Sequence, residues 1–155
     1  MGIKLNLNQV SLDNILIEVA KSNMDYKELI KIALDYRSRA YIPYSNFNVG
    51  AAVLCESGKI YGGCNIENAS FGATNCAERT AIFKAVSEGE SKIKAIAIVG
   101  SLSEITYPCG ICRQVISEFG DDDVKVILAK SEDDYIIKDM SEILPGAFKK
   151  EALGK

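Results

Sequence analysis

Four residues in this 155-residue chain have types and spacings that could do chemistry together. Cys76 and Glu78 lie in "TNCAERTA"; Cys109 and Cys112 lie in "PCGICRQVISEFG". A Cys-x-x-Cys pair alone is ambiguous: a redox dithiol, half of a zinc site, or a coincidence at a helix start. Cys76 adds a third thiol, and three protein ligands leave the fourth tetrahedral position open for water, as in a catalytic zinc centre. The dithiol reading leaves Cys76 and Glu78 without a role.

Cys76 and Glu78 are i and i+2, which point to nearly opposite sides in mid-helix. Both reach one point only where a helix begins, and Cys109 and Cys112 also fall at an expected helix start. Two helix N-termini aimed at one metal would favour thiolates and an anionic nucleophile. Glu78 then has a function. A carboxylate beside, but not on, a metal-activated water can take its proton and deliver it to a leaving group. Cys/His-x-Glu followed by Pro-Cys-x-x-Cys is the signature of the zinc deaminases, here in a three-cysteine form.

Three thiolates and Zn²⁺ sum to −1, against 0 for one imidazole and two thiolates, so the site should be the poorer Lewis acid. Arg79 and Arg113 each directly follow a motif residue. Arg79, together with Arg113, is expected to hydrogen-bond a thiolate and restore the charge balance. Cys55, inside an apolar strand pattern, and Cys64 have no such context and read as structural thiols, since free cysteine packs as a small hydrophobe.

The elements that must position these residues follow from periodicity. Leu12, Ile15, Leu16, Val19 and Ala20 have helical spacing behind Ser11 as N-cap. After a break at "SNMD", Leu29, Ile30, Ala33, Leu34 and Arg37 continue as a second amphipathic helix, which ends before the loop "YIPYSNF". "FNVGAAVLCE" and "KIYGGCNIE" read as a hairpin turning at Gly58. Ala81, Ile82, Ala85 and Val86 form a buried helical stripe ending near Gly89. "IKAIAIVG" is apolar nearly throughout, as in a strand covered on both faces. "PCGICRQVISEFG" becomes a helix stopping at Gly120, "DVKVILA" and "DYIIKD" are strands, and "MSEILPGAF" contains a turn of helix. Strands alternating with helices predict a three-layer α/β/α sandwich, and the hairpin makes its sheet mixed.

Bulk composition narrows the class. The length fits one domain, residues 1–155, and 48% hydrophobic with 25% charged residues is an ordinary globular balance. A net charge of −3 argues against a general nucleic-acid binder. No apolar run approaches the ~20 residues of a membrane span. The first residues lack the apolar core of a signal peptide, and Asn6 breaks the myristoylation pattern. Five cysteines, an odd number, suggest thiols or ligands rather than a disulfide framework. A soluble, cytoplasmic protein is expected, with no membrane partner.

Taken together, "AYIPYSNFNVGAAVL", "GCNIENAS", "TNCAERTA", "PCGICRQVISEFG" and "LPGAF" resemble the small, homotetrameric cytidine deaminases. The resemblance runs from about Met24 to about Leu153, with the motifs in the family's order. It implies a mixed five-stranded sheet flanked by helices. It implies one Zn²⁺ per chain on Cys76, Cys109 and Cys112, with Glu78 as proton shuttle. Asn65 and Glu67 would bind the ribose hydroxyls, which suits an amide and an ionised carboxylate. Phe47 would pack on the pyrimidine. Phe71 and Phe148 would close the pocket from neighbouring subunits, so the active site is shared in the tetramer. The backbone around Ala77 would read the base edge, and Gln114 would help orient ligands. The implied reaction converts cytidine or deoxycytidine to the uridine product with loss of ammonia.

Taken singly, Asn65 reads as a turn residue, Phe47 as core and Phe148 as a C-terminal staple. Rival functions are a deaminase of a cytosine-bearing antibiotic nucleoside, a polynucleotide deaminase, and a non-catalytic zinc-stabilised interaction module. The paired Asn65 and Glu67 favour the ordinary nucleoside, the negative charge disfavours the polynucleotide, and Glu78 has no purpose in a purely structural site. Residues 1–23 precede the family-like part and read either as a start placed too far upstream or as an extension carrying an extra helix, the latter favoured by its N-cap.

Overall fold

The structure, a computed structural model, describes residues 26–154. The helix expected over Leu12–Ala20, and with it the proposed extension, lies outside the described residues.

Helix α1 spans Lys27–Arg37 and buries Leu29, Ile30 and Ala33, the i, i+1, i+4 stripe of an amphipathic helix. The hairpin forms strands β1, Gly50–Cys55, and β2, Ile60–Cys64, paired from Gly50↔Cys64 to Leu54↔Ile60. Gly58 turns it with a φ of +89°, a conformation that favours glycine. A short 3₁₀ turn at Phe71–Ala73, which periodicity did not reveal, precedes helix α2, Ala77–Ser87. Strand β3 is Ile93–Val99, helix α3 Gly110–Phe119, strand β4 Gly120–Ala129 and strand β5 Tyr135–Asp139. Helix α4, Met140–Ile143, opens with a capping box between Asp139 and Glu142. A second 3₁₀ turn follows at Lys150–Leu153.

The five strands form one sheet in the order β2-β1-β3-β4-β5. Only β3 and β4 run parallel, and α3 makes the crossover between them that a parallel pair requires. The other three pairings are antiparallel, so the sheet is mixed, as expected.

Each face of the sheet has its own core. On one face α1 packs Leu29, Ile30 and Ala33 on Ala52, Ala97, Val99, Ile127 and Ala129. On the other, α2, α3 and α4 bring Ala81, Ile82, Ile116, Met140 and Ile143 onto Val53, Ile96, Ile98, Val126 and Leu128. This is the three-layer α/β/α sandwich. Burial on both faces explains the unbroken apolar run of β3, where Lys94 is the one exposed residue.

One detail of the helical stripe differs from expectation. Val86 is exposed, and the buried positions of α2 are Ala77, Glu78, Ala81, Ile82 and Ala85. The stripe is rotated toward the start of the helix, so that a carboxylate rather than a valine is carried into the interior.

Candidate active site

The site is built where two helices begin. Cys76 is the N-cap of α2 and Cys109 the N-cap of α3, both with extended backbone (φ −74°, ψ 156° and φ −67°, ψ 167°). Their carbonyls already accept the first helical bonds, from Thr80 N–H at 3.0 Å and Arg113 N–H at 2.9 Å. Cys112 lies in the first turn of α3 and is buried. The sulfurs of Cys76, Cys109 and Cys112 all lie within 4.8 Å of one another, and the Cys76–Cys109 separation is 3.9 Å. Zn–S bonds of about 2.3 Å in a tetrahedron put sulfurs roughly 3.8 Å apart, so the group fits a zinc ion. The free N–H groups and positive ends of both helices favour thiolate at this point. Cys55 and Cys64 stand outside the cluster.

The thiols are electrostatically uneven. Hydrogen bonding from the Cys112 thiol, then from Arg79 and Cys109, pulls Cys76 down to about 5 against the effect of burial. Cys112, the donor to Cys76, is held up by that bond, by burial and by the charges of Glu78 and Cys76. Cys76 is thus the thiol most readily ionised, and a bound cation would draw the other protons off. Glu78, in the first turn of α2, is only 4% exposed. Burial, with the Cys76 thiolate adding to it, raises its carboxyl from 4.5 to about 7. A carboxylate near neutrality beside a metal group can both accept and return a proton.

The two arginines separate. Arg79 donates from Nη2 to Cys76 Sγ at 3.5 Å and to the Thr74 carbonyl at 3.3 Å. Its Nε is buried without a hydrogen-bond partner among the described residues. An orphaned cationic donor beside the Cys76 thiolate fits a group whose remaining sulfurs become charged on metal binding. Arg113 was expected to join it, but it donates to carbonyls instead: Pro108 O at 2.9 Å and Ile143 O at 3.0 Å. One position past Cys112 the side chain is turned about 100° round the helix, and there it fastens α3 to the end of α4.

The residues expected to hold substrate sit on the loops around this centre. Ile66 bridges Asn75 with reciprocal backbone bonds of 2.9 Å and pairs with Tyr41 on its other side. This pins the segment bearing Asn65 and Glu67 beside the residue that precedes Cys76. Asn65 accepts from Val49 N–H at 2.9 Å and donates to the Phe47 carbonyl at 2.8 Å. Glu67 accepts from the backbone N–H groups of Tyr44, at 2.9 Å, and Ser45, at 3.2 Å, and from the Ser45 hydroxyl. These bonds, the Ser45 hydroxyl first, hold its carboxyl below the usual range.

Tyr44, Ser45, Glu67, Phe71 and Thr74 line an open pocket of about 380 Å³. Phe71 meets Tyr44 edge-on at 5.7 Å. Phe47 is half-exposed, while Phe71 and Phe148 are 74% and 61% exposed. The Phe148 carbonyl accepts from Gln114 Nε2 at 2.8 Å, so Gln114 holds the segment carrying Phe148. Ala77 is fully buried at the first position of α2. Sequence reasoning reads Ser45 only as the mark of a loop and does not single out Tyr44. Their adjacency to Phe47 is visible, but the bond from Ser45 to Glu67 spans 22 residues and no local spacing announces it.

Comparison with known proteins agrees with this geometry. Residues 23–128 match the cytidine and deoxycytidylate deaminase zinc-binding region. The chain is 52% identical over 128 residues to the cytidine deaminase of Halalkalibacterium halodurans, covering 83% of this chain and 97% of that one. It is 50% identical over 130 residues to that of Sporosarcina psychrophila, covering 84% and 96%. The crystal structure of cytidine deaminase from Burkholderia pseudomallei superposes with a TM-score of 0.74 at 46% identity, covering 78% of this chain and 97% of that one. With the three thiols, the buried glutamate and the fold all in agreement, the chain belongs to the zinc-binding cytidine and deoxycytidylate deaminase family.

Proposed function

We propose that this protein is a zinc-dependent cytidine deaminase that converts cytidine and deoxycytidine to uridine and deoxyuridine in pyrimidine salvage. The observation that carries this reading is Glu78, a carboxylate 4% exposed and raised to about 7, in the first turn of the helix capped by Cys76. Cys76, Cys109 and Cys112 would hold a zinc ion, which would supply the Lewis acid that makes water nucleophilic near neutral pH.

The chain's own residues do the rest. Glu78 takes a proton from the attacking water and gives it to the ring nitrogen of cytosine. It then carries the second proton, from the hydroxyl added to the ring carbon, to the departing amine; the carbon–nitrogen bond breaks, ammonia leaves and the carbonyl forms, so one water is consumed for each amino group replaced. Asn65 and Glu67 bind the ribose hydroxyls, Phe47 packs on the pyrimidine, and the backbone at Ala77 reads the base edge. Arg79 offsets the negative charge of three thiolates. Arg113 and Gln114 act at a further remove, fastening α3 to α4 and to the Phe148 segment.

The exposed aromatic rings of Phe71 and Phe148 support a homotetramer in which neighbouring chains complete each pocket. Residues 1–155 form a single domain, with residues 1–23 as an N-terminal extension, in a cytoplasmic protein. Among the described residues no helix is long and apolar enough to cross a membrane.

The test is zinc content per chain together with cytidine absorbance for the wild type and Glu78→Gln. The variant is expected to keep its zinc and lose roughly 10²–10⁴-fold in turnover, the range for a positioned acid–base group. Zinc bound by a wild type that turns over neither cytidine nor deoxycytidine would overturn the proposal.

A further inference from the structure

We infer that Ser45 is a positioning residue that makes the sugar-reading and base-packing parts of the pocket one unit. The inference rests on the reading that Glu67 contacts the sugar and Phe47 the base.

The Ser45 hydroxyl has two partners. It accepts from the Phe47 N–H at 3.0 Å and donates to Glu67 Oε1. Its own N–H and that of Tyr44 go to the other oxygen, Glu67 Oε2. A carboxylate offers about four acceptor positions. Three are taken by this one turn of loop, and the position left over is on Oε1, the oxygen the hydroxyl holds. Ser45 therefore fixes where the remaining acceptor of Glu67 points.

The same loop fixes Phe47 from its other side. Asn65 Nδ2 donates to the Phe47 carbonyl, while the Phe47 N–H goes to Ser45. Between them Asn46 has a φ of +56°, the left-handed conformation that asparagine tolerates better than most residues. Both backbone polar groups of Phe47 are thus tied to side chains that lead to Asn65 and Glu67. A shift of Glu67 moves Phe47 through one hydroxyl. Removing that hydroxyl frees one carboxylate oxygen and one backbone N–H together, and both can reorient in the open pocket.

The experiment compares cytidine with 2′,3′-dideoxycytidine, which lacks both secondary hydroxyls, as substrates of the full chain. It uses Ser45→Ala, Ser45→Thr and Glu67→Gln, with zinc content measured for each. Ser45→Ala is expected to raise KM for cytidine about tenfold, in line with the loss of one hydrogen bond to a charged group, while kcat changes little. It is also expected to shrink the preference for cytidine over the dideoxy substrate by a similar factor. Ser45→Thr, which keeps the hydroxyl, restores both.

An unchanged preference in Ser45→Ala, with both substrates slowed equally, would overturn the inference and leave Ser45 a purely structural residue. If Glu67→Gln also left the preference unchanged, the sugar-contact reading of Glu67 would fall with it. A preference lost in Glu67→Gln but kept in Ser45→Ala would overturn the inference about Ser45 alone.

Discussion

Glu78 is where burial and charge pull the same way. Its carboxyl is raised to about 7, so the neutral acid is favoured in the folded, metal-free chain. A folded-state pKa above the unfolded value contributes stability that is complete below about 4.5 and is lost as pH rises through about 7. Cys76, lowered to about 5, works in the opposite sense: its contribution is present above its ordinary range and lost as pH falls. The difference between wild type and Glu78→Gln isolates the carboxyl. For chelator-treated protein, the variant is expected to gain on the wild type by on the order of 3 kcal/mol between pH 5 and pH 8. Denaturant titrations at the two pH values measure it; a difference independent of pH would mean that the carboxyl is solvated.

Arg79 and Arg113 make a second test at the same scale, because both follow a motif residue but have different partners. Arg79→Ala is expected to cost about 10–100-fold in zinc affinity or activity, the usual cost of removing a group that supports a metal ligand. Arg113→Ala loses bonds to two carbonyls and should lower the melting temperature more than it lowers zinc retention. Metal competition with a chromophoric chelator, beside thermal melts, separates the two. Equal loss of zinc in both variants would contradict the division of roles.

At the scale of elements, the centre depends on how closely α2 lies against β2. A Cβ placed on Gly63 would stand 2.4 Å from the Ala81 nitrogen and 2.7 Å from the Ala77 carbonyl oxygen, both backbone atoms that cannot swing aside. The strand thus touches the helix one turn from Cys76 and Glu78. Gly63→Ala must push α2 away from the sheet and carry two site residues with it. An overpacking cost of about 1–3 kcal/mol is expected, with reduced zinc content at equal protein concentration. Calorimetry and metal analysis check this; an unchanged melting temperature and full zinc would show that the helix is not fixed here. On the opposite face Gly50 admits α1 in the same way, its Cβ position lying 1.9 Å from the Ala33 carbonyl oxygen.

For the whole molecule, the proposed tetramer would cover the rings of Phe71 and Phe148, which are 74% and 61% exposed in the single chain. Light scattering is expected to give four times the chain mass. A chain beginning at Met24 is expected to keep both that mass and its activity, since α1, the sheet and the site residues all follow it. A monomer that turns over cytidine at full rate would remove the role given to the neighbouring chains. Loss of assembly on truncation would instead make residues 1–23 part of the interface.

The chemistry and most elements were legible in the chain because they are local. "TNCAERTA" and "PCGICRQ" each carry ligands within a single helix start, where residue type and spacing dictate what can converge. The apolar run of β3, the hairpin glycine and the stripe of α1 follow from periods of two and 3.6. What the sequence by itself determined was therefore which three thiols can share a metal, and which segments are helix or strand. The tertiary structure alone decided that Arg113 faces carbonyls rather than the thiols, that Glu78 rather than Val86 is buried, and that Ser45 reaches Glu67. The bonds of Arg113 to Ile143 and of Ser45 to Glu67 depend on how two distant segments meet. A side chain's partner across 22 or 30 residues is set by packing, and no local pattern encodes it.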